Sequence, residues 1–376
     1  MRIFDKLNNK KKIINSKTNN IKVFLCGPTV YDTIHFGHAR FFLFFDLVYR
    51  LFKLRNIEPT IVINITDIDP KILARSKESG VEYPSLVEEN IQEFLKTFEK
   101  LGLNSFIYVK VSDYIDYTKR IIEKLIRDKK AYYSLGNIYL KAEFGTKSNL
   151  SGLSKEEMKD MRFDINPGKK SPTDILLWNC SDAFENLFND SELGDGVPWW
   201  HIQDVSVICG IFSGKYDIHS GATDLILPHH EYISSILYGI NNIKKYPNIW
   251  MHVGLVYLKN KKMSKSTGHF ISIDGLLNKY NANTIRLYSY SENYHDPLFF
   301  SYKGINEYRK LENRINEILI SENSVPDENS SKIKKFIEYL TDDFNTVDAL
   351  TVLKEAVEEK RYCEIKKMVE IFGLRY

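Results

Sequence analysis

Residues 21–38 read IKVFLCGPTVYDTIHFGH and decide the fold class. Residues 21–25 form a short apolar run of the kind that favours a strand, and a glycine–proline pair ends it. An apolar pattern with helical spacing then runs from residue 39 to residue 54. In an open parallel sheet, nucleotides bind at such a strand–loop–helix turn, because the free N–H groups at the helix start attract phosphate. The stretch therefore predicts an α/β protein whose catalytic domain is a Rossmann-type, doubly wound parallel sheet.

Two histidines lie at the mouth of this predicted turn. His35 and His38 are three residues apart, so they share one face of the first helical turn and reach the same phosphate chain. A second motif, Lys-Met-Ser-Lys-Ser at residues 262–266, adds two lysines. Reaction at a phosphorus atom depends on donors and positive charge around the phosphates, which these four side chains supply. Each motif alone also fits an ordinary helix start or a solvated loop, but their combination with the strand–loop–helix pattern favours a nucleotide site.

Together the two motifs resemble the ATP site of class I aminoacyl-tRNA synthetases, and the flanking residues narrow the resemblance to cysteinyl-tRNA synthetases. The similar stretches, in the family's order, are residues 26–32, 64–69, 200–202, 224–231, 250–254 and 342–346. The resemblance implies a catalytic domain of this fold with a connective insertion and a C-terminal helical region. It also implies a ligase of protein synthesis that forms cysteinyl-adenylate from cysteine and ATP and transfers the cysteinyl group to the 3′ adenosine of tRNA-Cys.

The resemblance also implies roles at the ATP site. The catalytic side chains would be those of His35, His38, Lys262 and Lys265, which stabilise the phosphates during the attack. Mg²⁺ is implied as the counter-charge, and the loop with the two lysines is implied to close over ATP. The further ATP-binding positions would be Gly37, Met263, Ser264 and Ser266.

A second set of positions corresponds to the family's amino acid pocket or its surroundings. This set comprises Cys26, Thr66, Trp200, His219 and Asp224. Thr66 and Trp200 are equally compatible with places in the core. Asp224 precedes an apolar run, where a carboxylate has no explanation without a binding site.

The candidate metal site departs from the family. Cysteinyl-tRNA synthetases bind the substrate thiol on Zn²⁺ held by two cysteines, a histidine and a glutamate. At the corresponding positions this chain has Cys26 and His229, but Asp204 replaces the second cysteine and Ile233 replaces the glutamate. Two of the four ligands are therefore changed, and the donors that remain for a metal are those of Cys26, Asp204 and His229.

Two interpretations of this change stay open. Three protein ligands and an open position are enough for a catalytic zinc, so Cys26, Asp204 and His229 can form a weaker site. Alternatively the metal is lost, Ile233 fills the space, and the thiol is recognised by shape and polarity; we favour this second interpretation. An ordinary pocket contact separates cysteine from serine by only about 1–3 kcal/mol, or roughly 10–200-fold. Without a metal, either the discrimination has another basis or the substrate is not cysteine.

Composition agrees with a cytoplasmic enzyme. The chain has 376 residues with 43% hydrophobic side chains and a net charge of +3, which neither requires nor excludes a nucleic acid partner. Its four cysteines form no C-x-x-C pair, which favours a reducing compartment. The most apolar run, residues 41–52, is too short to cross a bilayer, and no signal peptide is recognised. We expect a monomer that has no membrane partner.

The chain divides into five predicted segments. They are the first half of the catalytic domain at residues 1–105, a connective insertion at 106–195, the second half at 196–257, a stem-contact region with the Lys-Met-Ser-Lys-Ser loop at 258–328, and part of an anticodon-binding type helical domain at 329–376. The last segment is short for that type of domain, so either contacts with the anticodon are reduced or the natural chain is longer.

Two other functions are compatible with the sequence. One is a related ligase that joins cysteine to an amino sugar, as in mycothiol synthesis. The other is a non-catalytic paralogue that binds RNA. The intact histidine and lysine motifs argue against the paralogue, because a binding module has no need of side chains that stabilise phosphoryl transfer.

Overall fold

The computed structural model describes residues 1–14, 19–30, 33–144, 149–161, 166–180, 193–241, 247–264, 268–321 and 330–376. The strands are β1 (Arg2–Asp5), β2 (Lys10–Ile13), β3 (Asn20–Leu25), β4 (Glu58–Ile65), β5 (Ile107–Lys110), β6 (Ala131–Ser134), β7 (Asn137–Leu140), β8 (Ile175–Asn179), β9 (Val197–Pro198), β10 (Ile218–Ala222), β11 (Ile249–Val253), β12 (Val256–Leu258), β13 (Lys261–Lys262) and β14 (Leu298–Phe300).

The helices alternate with these strands in the first part of the chain and dominate its last part. They are α1 (Phe36–Leu54), α2 (Pro70–Ser79), α3 (Tyr83–Leu101), α4 (Ile115–Arg127), α5 (Lys155–Asp160), α6 (Trp200–Phe212), α7 (Glu231–Asn241), α8 (Ile273–Leu277), α9 (Ala282–Ser289), α10 (Tyr302–Ser321), α11 (Ser331–Thr341), α12 (Thr346–Glu358) and α13 (Tyr362–Phe372). Within the described ranges, none of the helices is long and apolar enough to cross a membrane.

The central sheet has five strands in the order β11-β10-β3-β4-β5, and every neighbouring pair is parallel. The chain adds β4 and β5 on one side of β3 and then returns to add β10 and β11 on the other side. The strand order thus reverses beside β3, and ligands bind in the crevice at such a switch point. The inner strands are almost fully buried apolar runs, as expected for parallel strands covered by helices. The predicted doubly wound α/β fold is confirmed.

Two smaller sheets and a helical region complete the fold. The antiparallel sheet β6-β7-β8-β9 lies in the chain between β5 and α6; its first three strands fall within residues 106–195, predicted as an insertion, and β9 follows just after that bound. The small sheet β13-β12-β14 carries the start of the Lys-Met-Ser-Lys-Ser motif. The last three helices pack on one another, and α13 also contacts α1. The predicted segment bounds remain predictions, although β5 pairs with β4 and so extends the central sheet past the bound predicted at residue 105.

A buried ion pair joins α1 to α9. The Asp46 carboxylate accepts hydrogen bonds from Arg286 and, at 2.8 Å, from Arg50. Arg286 also donates to the carbonyl oxygen of Leu101 at 3.0 Å, so it ties the end of α3 to the same point. Asp46 is 0% exposed and Arg286 is 1% exposed. Removing one partner of such a pair leaves the other charge buried without compensation.

We therefore expect Asp46→Ala to destabilise the fold strongly, by about 3–5 kcal/mol, because Arg286 loses its buried counter-charge. The measurement is urea unfolding followed by circular dichroism. The matched control is Glu307→Ala, which removes an ion pair with Lys310 whose side chains are 59% and 70% exposed. That change should cost less than about 1 kcal/mol. Equal shifts of the two unfolding midpoints would contradict the role given to Asp46.

Candidate active site

A cleft of about 560 Å³ opens at the carboxyl ends of β3, β4 and β10, at the reversal of strand order. It is lined by most of the residues singled out from the sequence: Cys26, His35, Gly37, His38, Thr66, Trp200, Asp204, Asp224, His229, Lys262, Met263 and Ser264. His219 is fully buried and lies beside Cys26 rather than on the cleft surface. Lys265 and Ser266 lie outside the described residues, so their predicted roles remain predictions.

One part of the cleft is built on the first turn of α1. His35 caps this helix: its Nδ1 accepts the backbone N–H of Gly37 at 3.1 Å. The Nδ1 of His38 accepts the backbone N–H of His35 at 3.4 Å, and the two rings stack with their centroids 3.9 Å apart. When neutral, each ring then carries its proton on Nε2 and is a donor there. The helix start thus presents imidazole donors where backbone N–H groups already favour an anion.

Lys262 lines the same cleft as this helix start. It occupies the short strand β13, and its ammonium forms an ion pair with the carboxylate of Asp224. Met263 anchors the motif, since it is buried and its N–H donates to the carbonyl oxygen of Val256 at 2.8 Å. Two predicted site residues, one from the ATP group and one from the amino acid group, are therefore paired with each other.

The opposite end of the cleft is a buried cluster around the thiol of Cys26. The Sγ atom donates to Asp204 Oδ2 at 3.1 Å. Three imidazole Nε2 atoms surround the same sulfur, those of His219 at 3.4 Å, His229 at 3.7 Å and His230 at 3.2 Å. Elements distant in sequence supply these side chains: the end of β3, α6, β10 and the turn before α7.

Each of these histidines is oriented through its other ring nitrogen. Nδ1 of His229 lies 2.9 Å from Nδ1 of His201, and Nδ1 of His230 lies 2.8 Å from Nε2 of His252. Nδ1 of His219 lies 2.8 Å from the hydroxyl of Tyr216. The rings therefore turn their Nε2 atoms to Cys26.

Burial controls protonation in this cluster. Burial raises the pKa of the Cys26 thiol well above its usual value, and the neighbouring Asp204 carboxylate raises this pKa further. Burial lowers the pKa values of His219 and His230, and the neighbouring imidazoles lower them further. At neutral pH the sulfur therefore keeps its proton and both imidazoles are uncharged, unless a cation enters the cluster.

Asn64 holds the carboxylate of this cluster in place. Its Nδ2 donates to Asp204 Oδ1 at 2.9 Å, and its Oδ1 accepts the N–H of Gly27 at 2.8 Å. Thr66 is buried and accepts a long hydrogen bond of 3.4 Å from the same amide. Trp200 is half-buried and stacks flat on His229, with ring centroids 4.3 Å apart and an interplanar angle of 2°. These two residues therefore contact the cluster as well as the cleft.

The replaced glutamate position offers no donor. Ile233 is fully buried in the core. Glu231 points elsewhere, because its Oε2 accepts the backbone N–H groups of Leu150 and Ser151 at 2.9 and 3.1 Å. Cys209 is on the same helix as Asp204, but among the described residues the hydrogen bonds of the Cys26 thiol go to Asp204 and the histidines and none goes to Cys209.

His230 is the residue that sequence reasoning missed. Helical spacing pairs His229 with Ile233 and sends the next residue to a different face. The chain departs from that spacing, because Ile226–His230 is a wide π-type turn in which Leu227 has extended backbone angles. Both consecutive histidines therefore reach Cys26. The doublet His229-His230 was the one available signal.

Loss of the metal is the interpretation favoured from the sequence, but the donors of the cluster fit a zinc ion. The donor atoms of Cys26, His229 and His230 all lie within 4.8 Å of one another. Asp204 Oδ2 lies 3.1 Å from Nε2 of His229, so a second set shares Cys26 and His229. Zinc–sulfur bonds of about 2.3 Å and zinc–nitrogen bonds of about 2.0–2.1 Å require tetrahedral ligand atoms roughly 3.3–3.7 Å apart, and thiolate with imidazole suits zinc.

Comparisons with known proteins agree with this geometry. The family model described as tRNA synthetases class I (C) catalytic domain matches residues 12–310. A cysteine–tRNA ligase of Desulfotalea psychrophila is 35% identical over 383 residues, covering 95% of this chain and 77% of that protein. One from Pyrococcus horikoshii is 33% identical, covering 100% of this chain and 86% of that protein.

A solved structure shows the same fold. Mycobacterium tuberculosis methionyl-tRNA synthetase, in complex with methionyl-adenylate, superposes with a TM-score of 0.69 at 13% identity, covering 94% of this chain and 90% of that one. Since the family match spans most of the sequence and the relatives exceed 30% identity, this chain belongs to the cysteine–tRNA ligase family of class I aminoacyl-tRNA synthetases.

Proposed function

We propose that the chain activates cysteine with ATP and transfers the cysteinyl group to the 3′ adenosine of tRNA-Cys in the cytoplasm. One observation carries this proposal: a single cleft is lined both by the two histidines at the start of α1 and by Cys26 of the buried cluster. The family membership supports the reaction class. The two ends of the cleft correspond to the two substrates of the first step, a nucleotide and a small thiol.

In the activation step, the cysteine carboxylate attacks the α-phosphorus of ATP, and pyrophosphate leaves. The Nε2 donors of His35 and His38 stabilise the charge that develops on the α-phosphate, because they are already oriented by their Nδ1 contacts. Lys262 neutralises the β- and γ-phosphates together with Lys265, whose role is predicted from the sequence motif. Mg²⁺ supplies further positive charge on the phosphates when it is bound.

Recognition of the amino acid begins at Asp224. Its carboxylate pairs with Lys262 in the absence of substrates. The α-ammonium group of cysteine carries the same charge and takes the place of Lys262 on Asp224. Substrate binding then frees the lysine for the phosphates of ATP. Thr66 and Trp200 line the same cleft as this carboxylate and Cys26.

Charging of tRNA tests the function directly. The protein is incubated with ATP, labelled cysteine and total tRNA, and the charged product is separated on an acid gel. We expect cysteine-dependent charging of one tRNA species. Activation of cysteine without transfer to tRNA, but with transfer to an amino sugar, would support the related ligase instead. Absence of adenylate formation with every amino acid would support the non-catalytic paralogue.

Loss of a histidine at the helix start should slow activation. We expect His38→Ala to reduce cysteine-dependent ATP–pyrophosphate exchange by about 10²–10³-fold, since removing one pre-oriented donor to a developing charge typically has this effect. His295→Ala serves as the control, because His295 is an exposed histidine outside the cleft. An exchange rate for His38→Ala within about threefold of the control would contradict the assignment.

The pairing of Asp224 with Lys262 gives a second prediction. We expect Asp224→Asn to raise the KM for cysteine by roughly 10–150-fold, the equivalent of one charge-assisted hydrogen bond of about 1.5–3 kcal/mol. The KM for ATP should not rise, because Lys262 loses its competing partner. Steady-state exchange kinetics with each substrate varied in turn measure both constants. A rise confined to the KM for ATP would place Asp224 on the nucleotide instead.

A further inference from the structure

We propose that His230 supplies the coordination lost at Ile233, so that this chain binds a zinc ion through Cys26, His229 and His230. The fourth position faces the cleft, which is bordered by Asp204. The ligand set stands on the geometry of the described residues alone, whereas the role of the ion in thiol recognition rests on the proposed function. Such an ion favours the thiolate form of a sulfur ligand.

The first argument for this ligand set is the distance between the donor atoms. Cys26 Sγ lies 3.2 Å from Nε2 of His230 and 3.7 Å from Nε2 of His229. The second distance falls within the spacing of roughly 3.3–3.7 Å between ligand atoms of a tetrahedral zinc site, and the first lies just below it. All three side chains are buried, so one small ion between them contacts the protein on several sides.

The second argument is that each histidine ligand is held in orientation by a hydrogen bond to its other ring nitrogen. Metal-binding histidines almost always use their second ring nitrogen in a hydrogen bond that sets the orientation of the ring. Here His252 holds Nδ1 of His230 and His201 holds Nδ1 of His229. Both supporting side chains are themselves buried. The arrangement leaves Nε2 of both rings directed at the sulfur.

The third argument is that the absence of a side chain at Gly221 leaves room for the His230 ring. A Cβ atom on Gly221 would lie only 2.7 Å from Cε1 and 2.9 Å from Nε2 of His230. The ring therefore packs against the backbone of β10, in room that only glycine leaves. His252 bounds the same ring on another side. The position of His230 is thus determined from several directions, as a ligand requires.

His230 also lies on the protein side of the proposed metal site, away from the cleft that the substrate would enter. It is 0% exposed and does not line the cleft, whereas Cys26, His229 and Asp204 do. A ligand on the protein side completes a set of three and leaves the cleft side open. Three protein ligands with an open position is the arrangement of catalytic zinc sites.

The test measures metal on the full chain, independently of activity. Purified protein is loaded with zinc, dialysed against metal-free buffer and assayed by mass spectrometry. We expect about one zinc per chain in the unmodified protein, and a loss of affinity in His230→Ala that exceeds the 10–100-fold typical of removing an outer partner. His295→Ala is the matched control and should retain zinc. Unchanged zinc affinity in His230→Ala would overturn the proposal.

X-ray absorption spectroscopy of the zinc-loaded, unmodified protein covers the case in which His230→Ala does not fold. We expect one sulfur at about 2.3 Å and scattering from two imidazoles. One sulfur with one imidazole would assign the site to Cys26, Asp204 and His229 and exclude His230. Failure to retain zinc at all would exclude the metal site. Exchange assays in parallel separate the two proposals, because zinc binding without exchange contradicts only the function, and exchange without zinc contradicts only the ligand set.

Discussion

The close approach of β3 to β4 at Gly27 is the constraint on which the site depends. A Cβ atom at this position would lie 1.6 Å from the carbonyl oxygen of Asn64, so only glycine allows the two strand ends to meet. The contact brings the Asn64 side chain to the backbone of Gly27 on one side and to Asp204 on the other. Cys26, the neighbouring residue, is thereby directed at the carboxylate and the histidines. The reversal of strand order thus supplies both the crevice and the buried polar cluster at its base.

The two ends of the cleft differ in burial and in the charges that they hold. At the start of α1, stacked imidazoles and backbone N–H groups border the part of the cleft where we propose that phosphates bind, and Lys262 is paired with Asp224. Around Cys26, a carboxylate and several imidazoles are buried together, where unpaired charge is costly. The Cys26 thiol donates to the Asp204 carboxylate there, and the donor atoms of Cys26, His229 and His230 form a set of the size that zinc requires. One buried cluster therefore serves as a hydrogen-bonded network and as a candidate metal centre.

Local patterns predicted much of this arrangement. The strand–loop–helix around residues 21–38 placed His35 and His38 correctly at a helix start, because strand, turn and cap signals all lie within one short stretch. The convergence of Cys26 with His230 was not predictable in the same way. It depends on a wide turn before α7, and the regular helical spacing used for residues 229–233 cannot describe such a turn. The pairing of Asp224 with Lys262 likewise joins separate elements through tertiary structure, which no local pattern contains.

The central claim is that this cleft selects a thiol by more than shape. The most direct measurement compares kcat/KM for cysteine and for serine in ATP–pyrophosphate exchange on protein of known metal content. An ordinary pocket contact yields a preference of roughly 10–200-fold. The account predicts a preference for cysteine well beyond that range, because the zinc ion that we propose at the cluster around Cys26 would bind a thiolate more strongly than a hydroxyl. A preference within that range would contradict it and would leave shape and polarity as the only basis of selection.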